Sequence, residues 1–151
     1  ENDTIYDAGV QAEATAMRRA LDCERVSVFS FDERSGRLVS LYADGNEGRL
    51  LSINVRLGFA GLVAITGRSI LVADAWEDVR FDRTVDARTG YRTRSMACAA
   101  LPGRDHQVVG VLQLINRREG AFAEDQLQPL DRLAAAIGLR IDHLMRTGSA
   151  A

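Results

Sequence analysis

At 151 residues, with 46% apolar and 26% charged side chains, the chain is long enough for one hydrophobic core and has the balance of a folded domain. Its formal net charge of −2 offers no general attraction to nucleic acid or to an anionic membrane surface. There is no run of about 18 apolar residues for a bilayer-spanning helix, and no basic-then-apolar signal pattern opens the sequence. The expectation is a cytoplasmic domain that neither inserts in membranes nor binds nucleic acid.

In chain order, Thr4 to Leu21 set Ile5, Val10, Ala14, Met17 and Leu21 near helical spacing and predict a helix. Arg25 to Asp32 is rich in β-branched and aromatic residues and predicts a strand, ended by the turn-forming run Glu33 to Gly36. Arg37 to Ala43 follows as its hairpin partner. In Leu50 to Val55 the residues Leu51, Ile53 and Val55 alternate onto one face, as in a third strand. Gly58 to Gly67 predicts a short helix closed by a glycine cap, and Ser69 to Val72 a short strand. Asp74 to Thr93 is a long polar connection with room for one helical turn ending at Gly90. Strands are expected at Ser95–Leu101 and Val108–Ile115, joined by a Pro102-Gly103 turn. The last helix is expected from Gln126 or Leu127, because Pro129 is tolerated only in a first turn. Its stripe is Leu127, Leu130, Leu133, Ala134, Ile137, Ile141 and Leu144.

This order predicts an α+β fold with a central antiparallel sheet of five to six strands. The N- and C-terminal helices are expected on one face and the long connection over the other, where a cover leaves space for a pocket. Residues 1–147 form a single domain in this reading, with helical ends near 4–22 and 126–146 and a disordered tail at 148–151.

Residue types exclude much chemistry. All nineteen basic residues are arginine, so phosphate-loop and Schiff-base lysines are ruled out. Cys23 and Cys98 stand 75 positions apart, with no CxxC and no nearby histidine, and are expected to be buried small hydrophobes. His106 and His143 are expected at the surface, and neither GxSxG nor HExxH occurs. Asp82 and Asp86 are four apart, but nothing completes a metal set. No catalytic residue and no metal site are expected.

Several local strings go further. Gly58-Phe-Ala-Gly-Leu-Val-Ala-Ile-Thr-Gly67, then Asp74-Ala75, Phe81, Asp86 and Thr89-Gly-Tyr-Arg-Thr-Arg94 resemble the core of GAF domains. Val109-Gly-Val-Leu-Gln-Leu-Ile-Asn116-Arg117 and Phe122 continue the likeness, which spans about residues 10 to 145. The strings are most similar to the GAF domains of cyclic-nucleotide phosphodiesterases and bacterial adenylyl cyclases. The resemblance implies a pocket beneath the connection, homodimers through the terminal helices, and a covalently linked output domain outside these residues.

Carried over residue by residue, the nucleotide-contact positions fall on Ser27, Phe59, Ala60, Asp82, Asp86, Thr89, Thr93 and Gln113. Their chemistry is compatible. Phe59 and Ala60 open a helix whose unpaired N–H groups suit a cyclic phosphate, and the threonine hydroxyls can donate or accept. Asp86 could accept from a base or ribose donor, and Ser27 points opposite to Val26 and Val28. Each has a plainer reading: Phe59 as core, Asp86 as a cap or arginine partner, Thr89 and Thr93 as loop residues.

The family's nucleotide-binding members carry an Asn-Lys…Phe…Asp-Glu signature. Asn116 and Phe122 match it, but Arg117 replaces the lysine, and Gln126 stands where the aspartate is expected, with Asp125 one place early. Arg117 could pair with Asp125, although arginine and lysine are not interchangeable in a tight site. Gln113 replaces the acid at the base-reading position, which leaves base preference open. The bilin-binding and free methionine sulfoxide reductase members need suitably placed thiols that Cys23 and Cys98 do not supply. The reading is a non-catalytic sensory domain that requires no cofactor and binds a small ligand, with cyclic AMP or cyclic GMP favoured. The alternative is a ligand-free dimerisation and relay module.

Overall fold

The computed structural model describes residues 8–44, 52–56 and 58–147. The expected helical start at Thr4 and Ile5, the strand residues Leu50 and Leu51, and the tail at 148–151 lie outside the described residues. The elements are α1 (Ala8–Ala20), β1 (Cys23–Asp32), β2 (Arg37–Ala43), β3 (Ser52–Asn54), α2 (Gly58–Thr66) and β4 (Ile70–Val72). A 3-10 turn (Ala75–Glu77), α3 (Thr84–Thr89), β5 (Met96–Pro102), β6 (Val108–Arg117), a second 3-10 turn (Glu124–Gln126) and α4 (Leu127–Arg146) complete the chain. The strands form one antiparallel sheet in the order β3-β2-β1-β6-β5-β4. This is the α+β architecture that the pattern predicts.

Alternation along the two central strands divides the molecule into two cores. Val26 and Val28 of β1 and Leu112 and Leu114 of β6 face the terminal helices, meeting Val10, Ala14 and Met17 of α1 and Leu130, Ala134, Ile137 and Ile141 of α4. Phe29 and Val111 point the other way, with Met96 and Cys98 of β5, and pack on Phe59, Ala60, Val63 and Ala64 of α2. A period of two sends neighbouring residues to opposite faces, so each strand feeds both cores. Cys23 lies in the first core and Cys98 in the second, and burial pushes their thiols up to about 11 and about 12.

Several boundaries differ from the sequence expectation: β1 starts at Cys23 instead of Arg25, β4 at Ile70 instead of Ser69, and β6 runs to Arg117 instead of Ile115. β5 continues through Pro102, which pairs with Val108 at a register irregularity, so the turn is Gly103–Gln107 instead of Pro102-Gly103. Proline is tolerated there because an irregular strand end does not require its missing N–H. β5 starts at Met96 instead of Ser95; the Ser95 carbonyl accepts from Asn116 N–H (2.7 Å). β3 ends at Asn54, and Val55 N–H turns to donate to the Gly36 carbonyl (3.1 Å). The connection holds two helical pieces instead of one. The expected turn is α3, ended by left-handed Gly90 (φ 79°), and the Ala75–Glu77 turn is additional.

Candidate functional site

The face of the sheet away from the terminal helices carries the site. Ala43, Ser27, Gln113 and Cys98 lie side by side across β2, β1, β6 and β5, a polar pair framed by small residues. The first turn of α2 stands on one side of this floor. Gly61 allows that approach, because a Cβ there would sit 1.9 Å from the Val55 carbonyl oxygen. Residues 74–94 form the roof. A cavity of about 230 Å³ lies between floor, helix start and roof.

All eight positions carried over from the resemblance line this one cavity. Ser27 and Gln113 supply the floor. Phe59 and Ala60 bring the first turn of α2, where backbone N–H groups have no partner within the helix. Asp82, Asp86, Thr89 and Thr93 come from the roof. Asp82 Oδ1 accepts from Thr84 N–H (3.0 Å), and hydrogen bonds from Thr84 hold its carboxyl below the usual carboxylate range.

Asp86 and Thr93 are bonded to each other within the roof. Asp86 is only 7% exposed and Thr93 5%. Asp86 Oδ2 accepts from Trp76 Nε1–H (2.9 Å) and Thr93 N–H (2.7 Å), while Thr93 Oγ1 donates to Oδ1 (3.0 Å). Neither the cap nor the arginine-partner reading of Asp86 describes this arrangement. Its carboxylate joins three parts of the roof that a spacing of ten and seven residues does not reveal.

Other wall residues were not assigned from sequence. Arg25 and Asp44 line the cavity, as do Phe29, Ile53, Phe81 and Tyr91. Arg25 lies over the Tyr91 ring (3.7 Å to the centroid), and Tyr91 Oη donates to Glu24 Oε1 (2.6 Å). Burial, and then Glu24, push the Tyr91 phenol up to about 12, while bonds from Tyr91 and Asn116 hold Glu24 below the ordinary carboxyl range. Alternation was the available signal for Arg25, which is two residues from Ser27 and therefore on the same face. Phe81 stacks against Phe59 (6.0 Å) and tilts against Trp76 (6.1 Å), continuing an apolar wall into the roof.

The signature residues stand outside the cavity lining. Asn116, next to last in β6, has a left-handed conformation (φ 59°) and is 1% exposed. Its Oδ1 accepts from Arg94 N–H (2.6 Å) and Ser95 N–H (3.1 Å), and its Nδ2 is placed to donate to Glu24, Tyr91 and the Arg92 carbonyl. Phe122 is buried in the core under the terminal helices. Arg117 does not pair with Asp125. Its guanidinium donates to the Ala121 carbonyl (3.0 Å), and Asp125 is exposed. Gln126 Oε1 instead accepts from Ala123 N–H (2.7 Å), closing the start of the last helix. Among the described residues, no group of three or more His, Cys, Asp or Glu side chains is placed to hold a metal ion. No described helix is long and apolar enough to cross a membrane.

The GAF domain family model matches residues 7–141, and the chain belongs to that family. It is 28% identical over 138 residues to the probable 3′,5′-cyclic phosphodiesterase pde-5 of Caenorhabditis elegans, covering 83% of this chain and 19% of that protein. It is 31% identical over 136 residues to the dual 3′,5′-cyclic-AMP and -GMP phosphodiesterase 11A of Takifugu rubripes, covering 82% of this chain and 15% of that one. The chain thus spans less than a fifth of the length of these relatives. Among solved structures, the GAF domain of a phosphoenolpyruvate-protein phosphotransferase from Coxiella burnetii superposes with a TM-score of 0.83 at 20% identity, over 94% of this chain and 85% of that one. The free methionine-R-sulfoxide reductase of Neisseria meningitidis shares the fold, with a TM-score of 0.74 at 21% identity over 93% and 80% of the two chains.

Proposed function

We propose that this GAF domain is a non-catalytic sensor whose roofed cavity binds a cyclic nucleotide and whose terminal helices pass the change to a linked output domain. The observation that carries the reading is the convergence of Ser27, Phe59, Ala60, Asp82, Asp86, Thr89, Thr93 and Gln113 on one cavity. Its contents suit such a ligand. The start of α2 offers backbone donors and the positive end of a helix to a phosphate. Ser27 and Gln113 can both donate to and accept from a base edge, and Phe59 with Phe81 supply an aromatic wall. At about 230 Å³ the cavity is at the small end of ligand clefts, which favours a single nucleotide over a larger cofactor. Likeness to two cyclic-nucleotide phosphodiesterases supports the same ligand class.

Burial supports the non-catalytic part. A thiol redox cycle of the reductase kind needs reachable sulfurs, whereas Cys23 and Cys98 are buried in cores on opposite faces of the sheet. Calorimetric titration of the chain with cyclic AMP and cyclic GMP tests the proposal. One site per chain, with one nucleotide preferred, is expected; no heat of binding from either at high micromolar concentration overturns it.

A second reading, a ligand-free dimerisation and relay module, draws on a separate feature. Ala16, Met17 and Ala20 of α1 and Leu133, Ala136 and Ile137 of α4 border an apolar groove between the terminal helices. This reading shares with the first a homodimer built on those helices, and differs in predicting that no small ligand alters it.

A further inference from the structure

The roof segment is held by a bond pattern that ligand contact does not explain. Trp76 lies outside the cavity lining, yet its indole N–H reaches the buried carboxylate of Asp86 (2.9 Å). The same carboxylate takes both the backbone N–H and the hydroxyl of Thr93. One group therefore ties the Ala75–Glu77 turn, α3 and the run into β5, three pieces of the roof that share no sheet pairing. The indole is itself fixed. Its ring lies against Phe81 and beneath the guanidinium of Arg92 (4.4 Å), and its backbone carbonyl accepts from Arg83. Phe81 and Thr93 line the cavity directly, so movement of the indole would displace two cavity walls at once.

We propose that Trp76 and Asp86 are positioning residues that latch the roof over the cavity, and that breaking the Trp76–Asp86 bond opens the path by which ligand enters and leaves. Asp86 then acts on the ligand through Thr93 and Phe81 instead of by offering its own oxygens, which are already engaged. The role of the latch in ligand exchange rests on the binding reading above, whereas the latch itself is tested in the ligand-free protein. Removing one hydrogen bond to a buried charge raises roof opening by roughly tenfold or more.

The chain has a single tryptophan, so the indole N–H gives one resonance in a ¹H–¹⁵N spectrum and its solvent exchange reads the latch directly. In the ligand-free protein, Asp86→Ala should accelerate indole exchange by about tenfold or more, and Asp86→Asn, which can still accept from the indole, should restore part of the protection. Trp76→Phe keeps an aromatic ring and removes the donor together with the pyrrole part of the indole. It should accelerate amide exchange at Ala87, Gly90 and Thr93 while amides of the central strands stay unchanged, a selectivity that general destabilisation does not produce. Unchanged indole exchange in Asp86→Ala, or unchanged roof amides in Trp76→Phe, overturns the latch. With cyclic AMP or cyclic GMP as the probe, Trp76→Phe should speed dissociation by a similar factor; an unaltered dissociation rate overturns its part in exchange. Failure of both nucleotides to bind the unsubstituted chain counts against the binding proposal and with it the exchange role, while the ligand-free measurements still decide the latch.

Discussion

Asn116 places one primary amide among five hydrogen-bond partners, two backbone donors and three oxygen acceptors, at a point where φ is positive. Asparagine suits both demands, since it tolerates the left-handed region and both accepts and donates. The family signature therefore has a structural meaning in this chain: Asn116 binds the end of the roof to the end of β6, and a cavity wall, Tyr91, is positioned through it. Asn116→Ala leaves the N–H groups of Arg94 and Ser95 without an acceptor. It should destabilise the fold by about 2–4 kcal/mol in urea unfolding, with roof amides losing protection first. The departure at Arg117 has a local explanation. The forked cation donates to the Ala121 carbonyl, and Gln126, at the expected aspartate position, accepts from Ala123 N–H.

At the scale of elements, the start of α2 makes the cavity by standing close to the sheet. Val63 and Ala64 bury one side of this helix on Phe29 and Val111, and Gly61 admits the Val55 backbone. An added methyl at Gly61 must push either the helix or the β3 end outward, because the obstructing atom is a carbonyl oxygen and not a flexible side chain. Gly61→Ala should cost about 1–3 kcal/mol of stability in thermal or urea unfolding. It should also weaken nucleotide binding, because the displaced N–H groups of Phe59 and Ala60 no longer meet the phosphate. α4 uses the same device at Gly138, where a Cβ would sit 2.2 Å from the Pro102 carbonyl oxygen, and so presses close to β5.

For the whole molecule, the sheet separates the proposed sensing site from the helices proposed to carry its output. The cavity lies on one face and the terminal helices on the other, with Val26 and Val28 facing the helices and Ser27, between them, facing the cavity. Ion pairing also crosses between them. Asp44, in the cavity wall, accepts from Arg18 of α1 (2.9 Å). On the outer side of the helices, Leu133 is 42% exposed and borders the groove bounded by Met17 and Ile137. Both proposed functions bury that surface in a homodimer. Sedimentation should find a dimer at micromolar concentration, and Leu133→Glu should convert it to a monomer with little change in unfolding temperature. A monomer from the unsubstituted chain would remove the relay surface from both.

Periodicity in the sequence was sufficient for the elements and their layering, because a buried face must recur at two or at about 3.6 residues whatever the packing partner. Ser27 was legible on the face opposite Val26 and Val28 for the same reason, and the glycine-framed α2 announced a helix start able to meet an anion. Family likeness pointed to Phe59, Ala60, Asp82, Asp86, Thr89, Thr93 and Gln113, which line the cavity, but it could not assign their bonds and left Arg25, Asp44 and Tyr91 unassigned. The partners of Asp86 and the clamp made by Asn116 join groups seven to ninety-two residues apart, and Arg117 turns back to the Ala121 carbonyl four residues on. Only the folded chain brings these groups together, since a hydrogen bond requires distance and direction that no local pattern encodes. The roofed cavity itself has the same origin: composition supplied its residues, and tertiary packing decided which would face the space and which would hold the roof.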